Sequence, residues 1–378
     1  MSKTIGVYVQ VPFCQTKCTY CNFHTGVFSR SLYAPYVEAV CREIRECRAV
    51  RDARVDTVYI GGGTPSLLEP LDLARILAAI RESSGAGWEE VTLEADPETI
   101  TAEKASAWRS AGVNRIRMGV QSFDDKELRA AGRMHRRENA YRAIGFLRGA
   151  GFNNVSMDLI AGLAHQTRQS WERSVDELIA LRPEHVSIYL LEVDEDSRLG
   201  KEILKGGEKY SAAEVPSDDQ MAGFYERACE TLALAGYGHY EISNWALPGR
   251  ASKHNLKYWR REAYLGFGAG AHSFDGVKRW SNVHDPAAYT AAIQAGRAAI
   301  EQEEAVTPAQ ALDEEFFLGL RELAGIDLAR IERQYSANMD ARVARLISSG
   351  LLERDGDRIR LNAEKLTISN EAFVELIG

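Results

Sequence analysis

The sequence predicts an α/β chain: a partial (β/α)6 TIM-like barrel followed by a C-terminal winged-helix-like domain. Three observations point that way. Six apolar, β-branched runs alternate with amphipathic stretches through the first half of the chain. The alternation fades near residue 205. The final segment reads as helices followed by a hairpin.

The six runs lie at 4–11, 55–60, 90–95, 113–119, 153–160 and 184–191 and read as strands. Between them, 32–49, 70–83, 101–111, 136–150 and 168–182 carry helical periodicity. Repeated βα units of this length predict a parallel sheet. No signal for a reversal of strand order is present, so an open barrel is expected, although periodicity alone does not separate it from a doubly wound sheet. In such a barrel the active site is built from loops at the carboxyl ends of the strands. Beyond 205, the stretch 217–236 reads as a helix and 237–290 as irregular and rich in aromatics. A Pro- and Ala-containing stretch near 298–311 looks like a boundary. Helices are expected near 312–323, 327–335 and 338–349. LLERDGDRIRL then reads as two short strands around an Asp-Gly turn, and a last helix is expected near 369–377. The expected division is a barrel at 1–205, a distinctive middle region at 206–300 and a terminal domain at 301–378.

Composition narrows the function. The 378 residues are 45% hydrophobic and 26% charged, an ordinary globular balance. A core of this size needs no disulfides. The net charge of −8 argues against nucleic acid as a partner. Residues 308–378 carry 13 acidic and 9 basic side chains, so the winged-helix-like module is expected to dock or support rather than bind DNA. No signal peptide is visible, and no run approaches the roughly 20 apolar residues that span a bilayer. A cytoplasmic chain is expected.

Six cysteines stand at 14, 18, 21, 41, 47 and 229. Cys41 and Cys47 share a helical stripe with Val37, Val40 and Ile44 and read as core thiols, as does Cys229. Cys14, Cys18 and Cys21 crowd into one loop directly after the first strand, spaced C-x3-C-x2-C. Crowding of this kind points to metal rather than disulfides. Soft thiolates select iron–sulfur or zinc. A closed zinc site wants four ligands, whereas three on one short loop suit a [4Fe–4S] cluster with one iron left open. Four polar residues fall at or just beyond carboxyl strand ends: Glu94, Gln121, Arg133 and Asp158. Gly61-Gly62-Gly63-Thr64-Pro65 ends the second strand, where glycines admit close approach of a ligand. Singly, each polar residue reads equally well as a cap or a solvated loop, and the glycine loop alone reads more readily as a plain turn.

The cysteine loop resembles the signature of the radical S-adenosylmethionine (SAM) superfamily, and the predicted barrel agrees with a radical SAM barrel. The resemblance implies that SAM chelates the open iron and that one electron, from a donor such as flavodoxin or ferredoxin, cleaves it. It also implies that Tyr8, Glu94, Gln121, Arg133 and Asp158 contact SAM and that the loop Gly61 to Thr64 meets its methionine moiety. Arg133 would pair with a carboxylate, and Asp158 would accept from ribose hydroxyls. The open iron leaves a cluster-linked homodimer as an option.

Two branches of this superfamily are similar to the chain over nearly its whole length. One is the oxygen-independent coproporphyrinogen III dehydrogenase of heme biosynthesis. The other is the HemW family of heme chaperones. The dehydrogenase carries a fourth cysteine where this chain has Phe23, and a long extension where only 13 residues precede Cys14. His254-Asn255-Leu256-Lys257-Tyr258-Trp259 matches the HNxxYW motif of HemW. That resemblance implies heme as ligand and heme-accepting respiratory proteins as partners, reached by transient contact at the membrane. His254 could ligate heme iron, with Tyr258 and Trp259 offering flat faces to the porphyrin. The plainer reading of the same residues is a buried, hydrogen-bonded histidine among core aromatics. His272 is a second candidate ligand, and His24 lies beside the cluster loop. Gln10 stands where relatives carry His, and Ala164-His165 where they carry Pro-Gly. A radical SAM enzyme acting on RNA or another small molecule fits less well, given the acidity and HNxxYW. Whether SAM is cleaved or only bound is left open by the sequence.

Overall fold

A computed structural model describes residues 4–85 and 87–377. Six parallel strands stand side by side in chain order: β1 (Thr4–Val11), β2 (Arg54–Gly62), β3 (Glu90–Ala95), β4 (Arg115–Gln121), β5 (Val155–Ala161) and β6 (His185–Leu190). Their outer face is covered by α1 (Tyr33–Glu46), α2 (Arg48–Asp52), α3 (Pro70–Ser84), α4 (Ala102–Ala111), α5 (Asp125–Ala130), α6 (Arg137–Gly149) and α7 (Arg168–Leu181). This is the α/β partial barrel that the alternation predicts.

Each strand divides its side chains by the two-residue period of the pleat. Ile116, Met118 and Val120 of β4 are fully buried in the core under the helices. Arg117 and Gln121, between and beyond them, line the inner cavity instead. Neighbouring strands are in register so that Tyr8 lies beside Tyr59, Glu94 beside Arg117, and Gly119 beside Asp158. The lumen is therefore polar and the outer layer apolar.

The region 237–290 is more regular than its sequence suggests. It contributes β7 (Gly238–Glu241), β8 (Asn244–Ala246), β9 (Tyr264–Phe267), β10 (His272–Phe274) and β11 (Lys278–Asn282). With β12 (Ile300–Ala305) these extend the sheet at both edges to twelve strands. β8 pairs antiparallel with β6 and β7 antiparallel with β8; β9 pairs parallel with β1, and β10, β11 and β12 follow, each antiparallel to its neighbour. Strands this short show too few alternations to be read locally, and their pairing is supplied by the barrel edge. α8 (Arg198–Leu204), α9 (Asp218–Leu234), α10 (Lys253–Trp259) and α11 (Pro286–Gln294) complete this part. Ser217 caps α9 reciprocally with Gln220, close to the predicted start.

The terminal domain holds α12 (Pro308–Gly319), α13 (Leu328–Tyr335), α14 (Asp340–Ser348) and α15 (Ser369–Leu376) around β13 (Ile326–Asp327), β14 (Leu352–Asp355) and β15 (Arg358–Leu361), ordered β13-β15-β14. α12 begins at Pro308 because Thr307 and Gln310 form a capping box and Pro308 sits in the first turn. Glu314 ties the domain to the barrel, accepting from Arg261 at 2.9 Å and Arg279 at 2.7 Å. Among the described residues no helix is long and apolar enough to cross a membrane.

Candidate functional site

A cavity of about 720 Å³ opens at the carboxyl ends of the strands. Its wall gathers Cys14, Cys18, Cys21, Tyr8, Gly62, Gly63, Thr64, Glu94, Gln121, Arg133, Asp158 and Tyr258. With Tyr189 of β6 also in the wall, residues from six strands and their following loops meet in one place, joined by Tyr258 of α10. Gly61, His254 and Trp259 do not reach that wall.

The cysteine loop follows β1 and is tied into the barrel by backbone bonds. Cys14 donates to Gly26, and Thr19 to Ala131. The loop after β2 locks against it, with Gly63 donating to Val11 at 2.8 Å and Thr64 to Phe13 at 2.7 Å. A Cβ on Gly63 would stand 2.6 Å from the Phe13 carbonyl and 2.9 Å from Cys14 Sγ. Glycine is required there by that close approach. The three thiols form no disulfide. Burial pushes the Cys14 and Cys21 thiols up from their ordinary values, so a bound metal would be what holds them as thiolates. Among the described residues no three donors converge as they would on a single metal ion. A cubane binds each thiolate on a different iron and so suits more widely placed sulfurs.

Behind the cysteines lies a network centred on Arg117, a residue that no sequence motif singles out. Arg117 donates from Nε to Asp158 at 2.8 Å and from Nη1 to Tyr59 at 3.1 Å and to Glu94 at 3.4 Å; its other nitrogen bonds the Tyr189 hydroxyl. Glu94 also accepts from Tyr59 Oη at 2.6 Å and from the Gly62 amide at 3.0 Å. Burial raises the Glu94 carboxyl pKa despite the guanidinium beside it. Arg133 donates to the Gly119 carbonyl at 2.9 Å and to Cys18 Sγ at 3.4 Å, and it pairs with Asp96. Asp96 in turn accepts from Thr64 at 3.2 Å, linking the glycine loop to Arg133. The alternation in RIRMGVQ was the available signal for Arg117, which falls on the face opposite Ile116 and Met118.

Four buried polar atoms of this wall have no hydrogen-bond partner among the described residues: Glu98 Oε2, Gln121 Oε1, Arg133 Nε and Asp158 Oδ1. Buried polar atoms are rarely left so. A ligand with both donors and acceptors would satisfy them, and SAM has both: its amino, carboxylate, ribose and adenine groups. Gln121 also holds a left-handed backbone, φ 65°, rare for a residue with a side chain. Strain of this sort gathers at ligand sites.

α10 carries the HNxxYW motif and closes the opposite, amino end of the barrel. Glu90 at the start of β3 accepts the amides of Lys253 and His254, each at 3.0 Å. Lys257 pairs with Asp56 at 2.9 Å and Glu262 at 3.0 Å. His254 is fully buried. Its Nδ1 meets Thr57 Oγ1 at 2.9 Å and its Nε2 meets Tyr258 Oη at 2.9 Å. Both ring nitrogens are therefore engaged, and Tyr258 and Asn255 are the motif residues that reach the cavity. Trp259 is buried against Tyr240. Heme ligation by His254 would require breaking one of these bonds and opening the barrel floor.

Burial, then Lys257 and Arg115, press the His254 pKa down to about 3 from an ordinary 6.5. Between those values the unfolded chain takes up a proton that the native chain refuses. The contribution to stability is whole above pH 6.5 and is lost as pH falls toward 3. Compared with His254→Gln, the wild type is expected to lose about 2 kcal/mol more between pH 6.5 and 5. Urea unfolding at the two pH values measures this. Equal losses in both proteins would show that the imidazole is not held neutral.

The chain is similar to known proteins over its whole length. Residues 8–178 match the family model described as radical SAM superfamily, and residues 306–364 that of the HemN C-terminal domain. It is 32% identical to the heme chaperone HemW of Lactococcus lactis subsp. lactis, over 100% of this chain and 98% of that protein. It is 32% identical to the heme chaperone HemW of Bacillus subtilis, over 99% of each chain. Among solved structures, coproporphyrinogen III oxidase (HemN) from Escherichia coli superposes with a TM-score of 0.85 at 22% identity, covering 100% of this chain and 90% of that one. At that identity the likeness speaks for the fold.

Proposed function

The chain belongs to the HemW family within the radical SAM superfamily, and from that premise we propose that it is a heme chaperone. It binds heme, holds a [4Fe–4S] cluster through Cys14, Cys18 and Cys21, and passes heme to respiratory acceptor proteins. The observation that carries this reading is full-length similarity to proteins named heme chaperones, in a chain with Phe23 at the dehydrogenase's fourth-cysteine position.

The residues fit a cluster and SAM together. When bound, the cluster supplies one-electron chemistry to SAM. Gly63 lets the loop after β2 pack directly on Phe13 and Cys14, and Gly62 lets it pack on Gln10, so the loop and the cysteines share one wall of the cavity. Arg133 presents an unpaired Nε and Asp158 an unpaired oxygen toward the same cavity. Burial raises the hydroxyl pKa of Tyr8, Tyr59 and Tyr189, so none adds negative charge to the lumen; Tyr8 donates to Gln10 and Tyr59 to Glu94, while Tyr189 accepts from Arg117.

The test is an anaerobic titration of the cluster-reconstituted protein with heme, followed by its Soret band. A parallel incubation contains coproporphyrinogen III, SAM and a reductant. Saturable heme binding without protoporphyrinogen formation is the expected result. Several turnovers of protoporphyrinogen would replace the chaperone reading with oxidative decarboxylation.

A further inference from the structure

We propose that heme iron is taken at the rim of the cavity by His24 and His272, beside the cysteine loop, and not by the buried imidazole of His254. This rests on the heme reading above and assigns it a place.

Of the eight histidines, His24 and His272 are the two that line the cavity. Neither ring makes a hydrogen bond or ion pair to a described residue, whereas both nitrogens of His254 are bonded. His24 lies against a third imidazole, His284, with ring centroids 4.1 Å apart. His284 Nδ1 is itself buried without a partner. Gly270 makes room for the group: a Cβ there would stand 3.0 Å from His284 Nδ1. Burial and the neighbouring imidazoles lower the pKa of both His24 and His272, which favours the neutral form that ligates iron.

The donor count selects a porphyrin over a bare ion. No three donors among the described residues are placed to hold a single metal ion. Heme iron brings four nitrogens of its own and takes one or two from the protein. The surroundings suit the macrocycle as well. Phe23 and Met134 line the same cavity and are 67% and 58% exposed, apolar area that a porphyrin face would cover. Lys17, in the same wall, offers a cation to a propionate. Phe23 is the residue that replaces the dehydrogenase's fourth cysteine, so the exchange that removes a thiol also builds this apolar edge. A heme at the rim remains accessible to an acceptor protein; one beneath the barrel floor does not.

The experiment titrates hemin into the full-length, cluster-reconstituted chain under anaerobic conditions. Soret absorbance and low-spin ferric electron paramagnetic resonance are read for wild type, His24→Ala/His272→Ala and His254→Gln. Cluster absorbance and circular dichroism confirm the fold. The double variant is expected to bind hemin about tenfold or more weakly and to lose the low-spin signal. His254→Gln should keep both. His272→Ala alone, which lies outside the cysteine loop, carries the test if the double variant loses its cluster. Wild-type affinity in the histidine-rim variants, or loss of the low-spin signal in folded His254→Gln, would overturn the assignment. No uptake by the wild type would instead sink the heme reading itself.

Discussion

Arg117→Met is expected to lower the stability of the chain by about 3–5 kcal/mol near neutral pH, because it strands two buried carboxylates. The guanidinium is the cation shared by Glu94 and Asp158, whose side chains are 25% and 9% exposed. Two tyrosine hydroxyls, of Tyr59 and Tyr189, also turn toward it. Methionine fills similar volume and returns none of these bonds. Glu94 and Asp158 already repel one another, which raises the Glu94 pKa on top of burial. Without Arg117 that carboxyl rises further above its unfolded value. A group whose folded pKa is raised is favourable when protonated, below its unfolded pKa, and loses that advantage as pH rises through the folded pKa. The deficit of the variant should therefore be smallest in acid and grow toward neutrality. Urea unfolding at pH 5 and pH 8 tests this. A deficit that is small and the same at both would show that the lumen network does not depend on its central cation. On the SAM-contacting role proposed for Asp158, SAM binding should fail together with stability, since that carboxylate loses its anchor.

Cys18→Ala is expected to abolish the iron–sulfur cluster. Cys18 stands between the two other cysteines of its loop, and its sulfur accepts from Arg133 at 3.4 Å. A three-thiolate cluster has no spare protein ligand, so one substitution leaves two irons open instead of one. Iron and sulfide content after anaerobic reconstitution, with the visible absorbance of the cluster, should be lost, and Cys14→Ala and Cys21→Ala should behave alike. Cys41→Ala and Cys229→Ala are the controls. Burial pushes those thiols to about 11 and about 12, so they remain protonated and inert. Retention of a full cluster by Cys18→Ala would mean that the loop is not its seat. Loss in Cys41→Ala or Cys229→Ala would mean that stability, not ligation, is being read.

Both results bear on the carboxyl end of the barrel, where Arg117 and the three cysteines line one cavity. The cysteine loop and the glycine loop after β2 sit at the carboxyl end, joined through Thr64, Asp96 and Arg133. The HNxxYW helix plugs the amino end and reaches the lumen only through Asn255 and Tyr258. Its histidine is then a structural link between β2 and the tyrosine that forms the floor.

The sequence by itself determined the cysteine loop and the scaffold. C-x3-C-x2-C is local, and three thiols within one loop are brought together without any help from folding. The six βα units are local in the same sense, since each strand and helix declares its own period. Glu94, Gln121, Arg133 and Asp158 were legible because barrel topology sends every carboxyl strand end to one place. Arg117 lies within β4 rather than at its carboxyl end, so only the alternation with Ile116 and Met118 marks it, and that alternation does not say which carboxylates it will meet. The strands from β7 to β11 were hidden because three to five residues show no clear period and are ordered by the barrel edges they join. Only the tertiary structure decided which histidines are free. A histidine in a motif and a histidine in a plain loop look equally able to bind metal in one dimension. Burial and two hydrogen bonds occupy His254, while His24 and His272 are left at the rim without partners, because their segments, far apart in sequence, end beside the same cavity.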